Sequence, residues 1–315
     1  MDVCLADESV SFPEWRMMEH SEFVAVIAAK ARNDGALTTA VPGLFLYRHS
    51  SPIHSIQSVY APALGVVAQG AKEMSLGDES FTFDAHRYLV LSIDLPLTGH
   101  VKIASRAKPY LGIRYNLDVT QVAQLQLEGR VGCANKALSS RGLYVSEMGT
   151  ELLDALVRLI RLLDTPRDIP VMAPLLHREI LYRLIRGEQG GLLARMGMPD
   201  GQMHGVLKTI NWLKDNFRKP FDLKCVTKEA KMSSSALYEH FRKVTNMTPL
   251  QFQKHLRLQE ARRLMLSHGM DAAGAGYDVG YRSSSQFSRE YSRQFGLSPA
   301  RDVEQLRMVP GLMEP

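Results

Sequence analysis

Three cysteines in 315 residues, Cys4, Cys133 and Cys225, are too few and too widely spaced for a disulfide framework, which points to a reducing, cytoplasmic setting. Long apolar runs are also missing. The least charged stretch, Ser50–Ala71, is interrupted by Pro52, Gln57, Pro62 and Gln69 and cannot span a bilayer as a helix, so no membrane partner is expected. The N-terminus, MDVCLADESVSFPEW, has neither the basic start nor the apolar stretch of a secretory signal. No G-x-S-x-G nucleophile, P-loop or dinucleotide fingerprint occurs. Nor does an H-x-H pair: His49, His54, His86 and His100 are set apart, so a metal site would need distant nitrogens to converge in space. No catalytic residue, cofactor or metal ligand is assigned. Cys133, close behind Arg130, reads as an inert small core residue, with a redox sensor as the alternative.

Excess charge is scarce overall, with 38 Lys+Arg against 33 Asp+Glu and a net of +5. Its distribution is uneven. Residues 1–200 carry 20 basic and 22 acidic side chains, residues 201–270 carry 13 and 5, and residues 271–315 carry 5 and 6. A basic block behind a slightly acidic body suits a nucleic acid or an anionic surface, with a solvated helical face as the plainer alternative. What is abundant is ordinary: 45% hydrophobic and 23% charged residues, in a chain long enough for two or three globular domains.

Periodicity divides the chain. Ser21–Arg32 places Phe23, Val24, Ile27 and Ala28 at helical spacing before the stop Asn33-Asp34-Gly35. From Leu44 to Asp118, short β-branched and aromatic runs alternate with turns: Leu44–Tyr47, Ser58–Gln69, Met74–Leu76, Ser80–Phe83, Tyr88–Ile93, His100–Ala104 and Tyr110–Leu117. This predicts a small antiparallel barrel or sandwich. Its inward positions, Val59, Tyr60, Leu64, Val66, Tyr88, Val90, Ile113 and Tyr115, either line an apolar ligand pocket or fill a packed core. Helices are predicted over Glu151–Asp164 and Leu175–Arg186, with Pro166, Pro170 and Pro174 breaking the chain between them. They are apolar enough to close the barrel domain or to pair with a second copy. Gly187–Gly201 reads as a linker, and the remainder is helical. The fold class is α+β.

The C-terminal part repeats itself at an offset of 50 residues. Ser233-Ser234-Ser235 aligns with Ser283-Ser284-Ser285, Leu237 with Phe287, Phe241 with Tyr291, Lys243 with Arg293, Asn246 with Gly296, and Met247-Thr248-Pro249 with Leu297-Ser298-Pro299. Ser233 and Ser283 suit helix N-caps, and Gln286 would complete a capping box in the second copy. Asn246 and Gly296 suit the left-handed residue that ends a helix. A short helix and a tight turn precede each capped helix, Leu223–Ala230 in the first copy and Asp271–Ala275 in the second. That order is helix-turn-helix, whose second helix can enter a major groove. Ser234, Ser235, Tyr238, Glu239 and Arg242 then face away from the core in the first copy, and Ser284, Ser285, Ser288, Arg289 and Ser292 in the second. Arg289 suits a guanine edge, and Arg242, Lys243, Arg282 and Arg293 suit phosphates. The continuous helix Thr248–Ser267 between the motifs approximates one turn of B-DNA in length. A helical repeat built only for packing is the alternative.

Ala230–Pro249, Gln251–Leu266 and Gly280–Pro299 closely resemble the two-motif DNA-binding domain of the AraC-type (AraC/XylS) transcription regulators. The resemblance implies base readers at Ser235, Tyr238 and Glu239 and at Ser285, Ser288 and Arg289. An acidic Glu239, where many members carry a basic or amide residue, favours a cytosine amino group. Thr39–Leu44, Gln69–Lys72, Ser75–Asp78 and Tyr88–Pro96 are similar to the cupin-like effector domain of one branch of that family. The implied organisation is an N-terminal extension and helix (1–35), a cupin-like antiparallel β-barrel sensor (36–148), and a helical segment with dimerising potential (149–188). A linker (189–201), a double helix-turn-helix domain (202–308) and a tail (309–315) complete it. The expected partners are double-stranded DNA, an unidentified small-molecule effector, RNA polymerase and a second copy of the chain. A metal cupin enzyme with an appended DNA-targeting domain and an architectural DNA binder without a signal are the rival readings.

Overall fold

The computed structural model describes residues 14–118, 120–129, 141–196 and 202–308. Cys4, Cys133, the N-terminal extension before residue 14, residues 197–201 of the expected linker and the tail lie outside them. Among the described residues, no helix is long and apolar enough to cross a membrane.

The chain opens with α1 (Glu14–Lys30). It then forms β1 (Gly35–Thr38), β2 (Leu44–His49), β3 (Ile53–Tyr60), β4 (Ala63–Gln69), β5 (Ala71–Leu76), β6 (Glu79–Asp84), β7 (Arg87–Leu91), β8 (Leu95–Ile103) and β9 (Tyr110–Asn116). After α2 (Thr120–Gly129) come β10 (Leu143–Glu147), α3 (Thr150–Arg161), α4 (Ile169–Arg186) and α5 (Gly190–Met196). The strands make two antiparallel sheets, β1-β2-β9-β4-β7-β10 and β3-β8-β5-β6. The expected antiparallel barrel or sandwich takes the form of an open pair of sheets. Alternation reveals which side chains share a face, but closure needs edge ladders that meet. None joins β1 or β10 to β3 or β6 among the described residues.

Register decides what the larger sheet covers. Leu64 lies opposite both Val90 and Tyr115, and Val66 opposite Tyr88 and Ile113, so these six side chains share one face. That face lies under the helices: α1 packs on β4 and β9, and His177 of α4 meets the Tyr115 hydroxyl at 3.1 Å. The opposite face, with Gly65, Leu89 and Arg114 in register, meets the second sheet, where Phe83 comes within 3.7 Å of the position a Cβ would take at Gly65.

Among the boundaries that differ from expectation, three shape the layout. The run Ser58–Gln69 is split at Ala61-Pro62, and β3 and β4 enter different sheets. α4 begins at Ile169, six residues before Leu175, because Pro170 sits in its first turn, where an N–H has no intrahelical partner; Pro174 lies inside the helix. The Gly-rich stretch expected to be a linker holds α5, whose Leu192, Leu193 and Ala194 are buried where it packs on α2 and α4.

The C-terminal part is helical: α6 (Gln202–Asn216), α7 (Leu223–Ala230), α8 (Ser234–Thr245), α9 (Pro249–Ser267), α10 (Ala272–Asp278), α11 (Ser284–Phe295) and α12 (Pro299–Met308). It has no single core. Val206, Ile210, Leu213, Phe241, Val244, Met247 and Phe252 join the core of the N-terminal domain. Leu258, Ala261, Val279, Phe287 and Tyr291 form a separate cluster around the second motif.

Candidate nucleic-acid interface

Local chemistry builds the two capped helices. Asp222 caps α7 through the N–H groups of Lys224 and Cys225, and Lys231 ends it in the left-handed conformation at φ 53°. Ser233 then accepts from the Ala236 N–H to start α8, which Asn246 ends at φ 57°. The second motif repeats this: Asp271 caps α10, Ser283 accepts from the Gln286 N–H to start α11, and Gly296 ends it at φ 77°. One cap differs from expectation. The capping box belongs to α9, between Thr248 and Gln251, whereas the Gln286 side chain donates to Glu290 at 3.3 Å.

The inward residues anchor each helix. Leu237 and Phe241 are fully buried on α8, and Phe287 and Tyr291 on α11. Their burial turns the opposite faces outward. Ser234, Ser235, Glu239, Arg242 and Lys243 are exposed on α8 and Tyr238 is half-buried; Ser284, Ser285, Arg289 and Arg293 are exposed on α11, with Ser288 half-buried and Arg282 exposed in the preceding turn. Among the described residues, Arg242, Lys243, Arg282, Arg289 and Arg293 form no ion pair with a carboxylate, which leaves five cations available to phosphates or base edges. Four other basic side chains of the region are committed internally. Arg218 meets Glu260 and Asp278, Arg263 meets Glu260, Lys254 meets Glu290 at 2.9 Å, and Arg262 meets Asp302 at 2.7 Å.

These internal pairs shape the local electrostatics. Burial works to raise the Glu290 carboxyl, but hydrogen bonds from Lys254, Tyr281 and Gln286 outweigh it and hold the group below its usual range. Burial, reinforced by the bond to Asp302, pushes the Tyr291 phenol far up, so it stays a donor at 2.6 Å. Burial also lowers His255 on α9 to about 4, and its Nδ1 has no hydrogen-bond partner among the described residues.

The N-terminal domain touches both motifs. Arg141, held by Glu79, donates through Nη1 to the carbonyls of Arg242 and Lys243 at 3.0 and 2.9 Å. The Gly142 N–H donates to Val244 O, and Asn246 Nδ2 to Leu76 O, both at 2.9 Å. At the second motif, Gln294 Nε2 donates to Gln57 Oε1 at 2.8 Å. Arg141, Gln57 and Asn246 sit more than 100 residues from these partners, a separation that no periodicity or short motif reveals.

Of the residues expected to line a ligand pocket, the structure gathers six on the face beneath the helices. Tyr60 and Ile113 border a cavity of about 30 Å³ between the sheets, together with Tyr47, Lys72 and Arg114. Tyr88 instead borders an open cleft of about 580 Å³, with Met148, Leu152, Tyr182, Arg183 and Arg186. Among the described residues, no group of three His, Cys, Asp or Glu side chains is placed to hold a metal ion.

Comparison with known proteins agrees with this architecture. Residues 40–192 match the model of the AraC-type transcriptional regulator N-terminus, and residues 226–305 match a helix-turn-helix domain. The chain belongs to the AraC-type transcription regulators. It is 27% identical over 166 residues to the HTH-type transcriptional activator RhaS of Salmonella dublin, covering 52% of this chain and 57% of that protein. The RhaS of Salmonella typhimurium is 28% identical over 155 residues, 48% and 53% of the two chains. The chain thus spans about half the length of the curated relatives it matches. ToxT from Vibrio cholerae shares the fold at a TM-score of 0.58 and 11% identity, over 83% of this chain and 97% of ToxT. ToxT with a bound unsaturated fatty acid gives 0.55 and 11%, over 90% and 99%.

Proposed function

We propose that this AraC-type regulator binds specific DNA sequences in the cytoplasm and controls transcription in response to a small molecule held by its N-terminal domain. The pair of capped helices with exposed polar and cationic faces carries the reading. They are joined by the 19-residue α9, about 28 Å long, against a B-DNA turn of about 34 Å. Ser235, Tyr238 and Glu239 are assigned to base edges of one half-site, beside Ser234, and Ser285, Ser288 and Arg289 to the other, beside Ser284. Arg242, Lys243, Arg282 and Arg293 are assigned to phosphates. Footprinting with the purified full chain tests this: two protected half-sites about one turn apart support it, and protection without sequence preference sinks it.

The effector is assigned to the cleft beside Tyr88, whose roughly 580 Å³ suits a small molecule. The cavity between the sheets, at about 30 Å³, holds no more than a water. An unsaturated fatty acid, the ligand described for ToxT, is the first probe, and a changed DNA affinity on its addition is the expected readout. Val171, Leu175 and Tyr182 leave an exposed apolar stripe at helical spacing on α4, which supports pairing with a second copy. The RhaS relatives are described as activators, which makes RNA polymerase the further partner.

A further inference from the structure

α9 does more than separate the two motifs. Gln253 and Arg257 stand one turn apart on it, and both bind backbone carbonyls of Phe217–Lys219, the segment that follows α6. Gln253 Nε2 donates to Phe217 O at 3.1 Å and to Lys219 O at 2.9 Å. Arg257 Nε donates to Phe217 O at 2.6 Å, and Nη2 to Lys219 O at 2.7 Å and Arg218 O at 3.4 Å. Arg257 alone reaches further: Nη1 donates to Gly280 O at 3.1 Å, in the turn of the second motif. That turn is pressed against the same place. Gly280 sits at φ +94°, and a Cβ there would lie 2.2 Å from Arg218 O. One guanidinium therefore ties together the segment after the first helix of the domain, the connecting helix and the second motif. The Tyr281 ring lies 5.8 Å from it, and the Tyr281 hydroxyl continues the chain to Glu290 of α11 at 2.9 Å.

We propose that Arg257 is the positioning residue that fixes the second recognition helix relative to the first, and so sets the half-site spacing this regulator accepts. The proposal rests on the DNA-binding reading above. Arg257 contacts no base in this account and acts only through Gly280 and the segment that follows α6. When two reading heads are joined rigidly at the right separation, the second binds at a high effective concentration; a loosened joint loses that gain while each head keeps its own affinity. A lysine cannot replace the planar fork, because one ammonium cannot serve acceptors on opposite sides.

The test uses the full chain and duplexes selected by it from a random-sequence pool. Each variant is measured on the selected two-half site, on the same duplex with one half scrambled, and on duplexes with one or two base pairs inserted between halves. Arg257→Lys and Arg257→Gln are compared with Gln253→Ala, which removes two bonds to the carbonyls of Phe217 and Lys219 and none to Gly280, and thermal melting reports folding. The expected result is that both Arg257 variants lose about tenfold or more on the two-half site, keep their half-site affinity, and respond less to inserted base pairs. Gln253→Ala should retain the wild-type spacing dependence. An unchanged ratio of two-half to half-site affinity in the Arg257 variants, or an equal loss on every duplex, overturns the proposal. Failure of the wild-type chain to enrich any duplex would instead overturn the DNA-binding reading on which it rests.

Discussion

The two helix-turn-helix motifs repeat the same residues 50 positions apart, yet they are built into the molecule differently. In the first, Phe241 packs edge-on to Phe252 with ring centroids 5.6 Å apart, in a core continuous with the N-terminal domain. In the second, Tyr291 takes the place of Phe241, and its hydroxyl donates to Asp302, which also receives Nε and Nη2 of Arg262 at 2.7 Å. That cluster is separate from the rest of the molecule's core. Phe241, Val244 and Met247 of the first motif thus extend the core of the sensor, while Val226, Ala230 and Leu237 form a small cluster beside it. The second motif is a small unit of its own, held by α9 and touched by the sensor at Gln57. On the reading proposed above, a movement of the sheets would reach the first recognition helix through Arg141 and Asn246, and the second through Gln57 and the connecting helix.

The largest expected effect breaks that comparison at the second motif. Asp302→Ala leaves Arg262, 11% exposed, without its carboxylate and should cost about 3–5 kcal/mol. Hydrogen exchange should show α11 and α12 losing protection while α8 keeps it. Equal loss in both motifs would mean that the two cores unfold as one. Gly280→Ala comes next. Its φ of +94° and the 2.2 Å approach to Arg218 O predict a loss of about 2–3 kcal/mol. Gly296→Ala, at φ +77° with open space around it, should cost about 1 kcal/mol. Denaturant midpoints of the two variants check the difference.

Acid tests the helix that both motifs share. Above pH 6.5 His255 is neutral in both folded and unfolded chains and contributes nothing. As pH falls from 6.5 the unfolded chain takes up a proton that the folded chain refuses until about pH 4. Stability should therefore decline by about 3 kcal/mol across that window and then level off. His255→Gln should flatten that part of the stability profile; an unaltered profile would place the titrating group elsewhere. Arg289→Ala should weaken binding by about 1–3 kcal/mol and relax preference at one base of the second half-site only. Uniform weakening on all sequences would make Arg289 a phosphate contact. Asn246→Ala should match Gly296→Ala at about 1 kcal/mol, from the lost left-handed cap and the bond to Leu76 O.

What was legible in the sequence was local. Ser233, Ser283, Asn246 and Gly296 act through backbone groups within a few residues, so their spacing alone announced two capped helices. The α+β class followed from the change of period between the strand region and the C-terminal helices. What escaped was whatever depends on distant partners. Whether the barrel closed turned on edge strands that do not pair among the described residues, and α5 hid in a Gly-rich stretch because its burial comes from α2 and α4. Arg257 and Arg262 look like any other cations of the basic block. Only the folded chain sorts them from Arg242, Lys243 and Arg289, which turn outward. The +8 of residues 201–270 is therefore partly structural.

One measurement tests most directly whether the two motifs act as a unit on adjoining grooves: the affinity of the full chain for its selected site after half a helical turn, about five base pairs, is inserted between the halves. A rigid α9 of 19 residues predicts that binding falls to the level of a single half-site, and that inserting a full turn does not restore it. Affinity unchanged by the insertion would contradict the account.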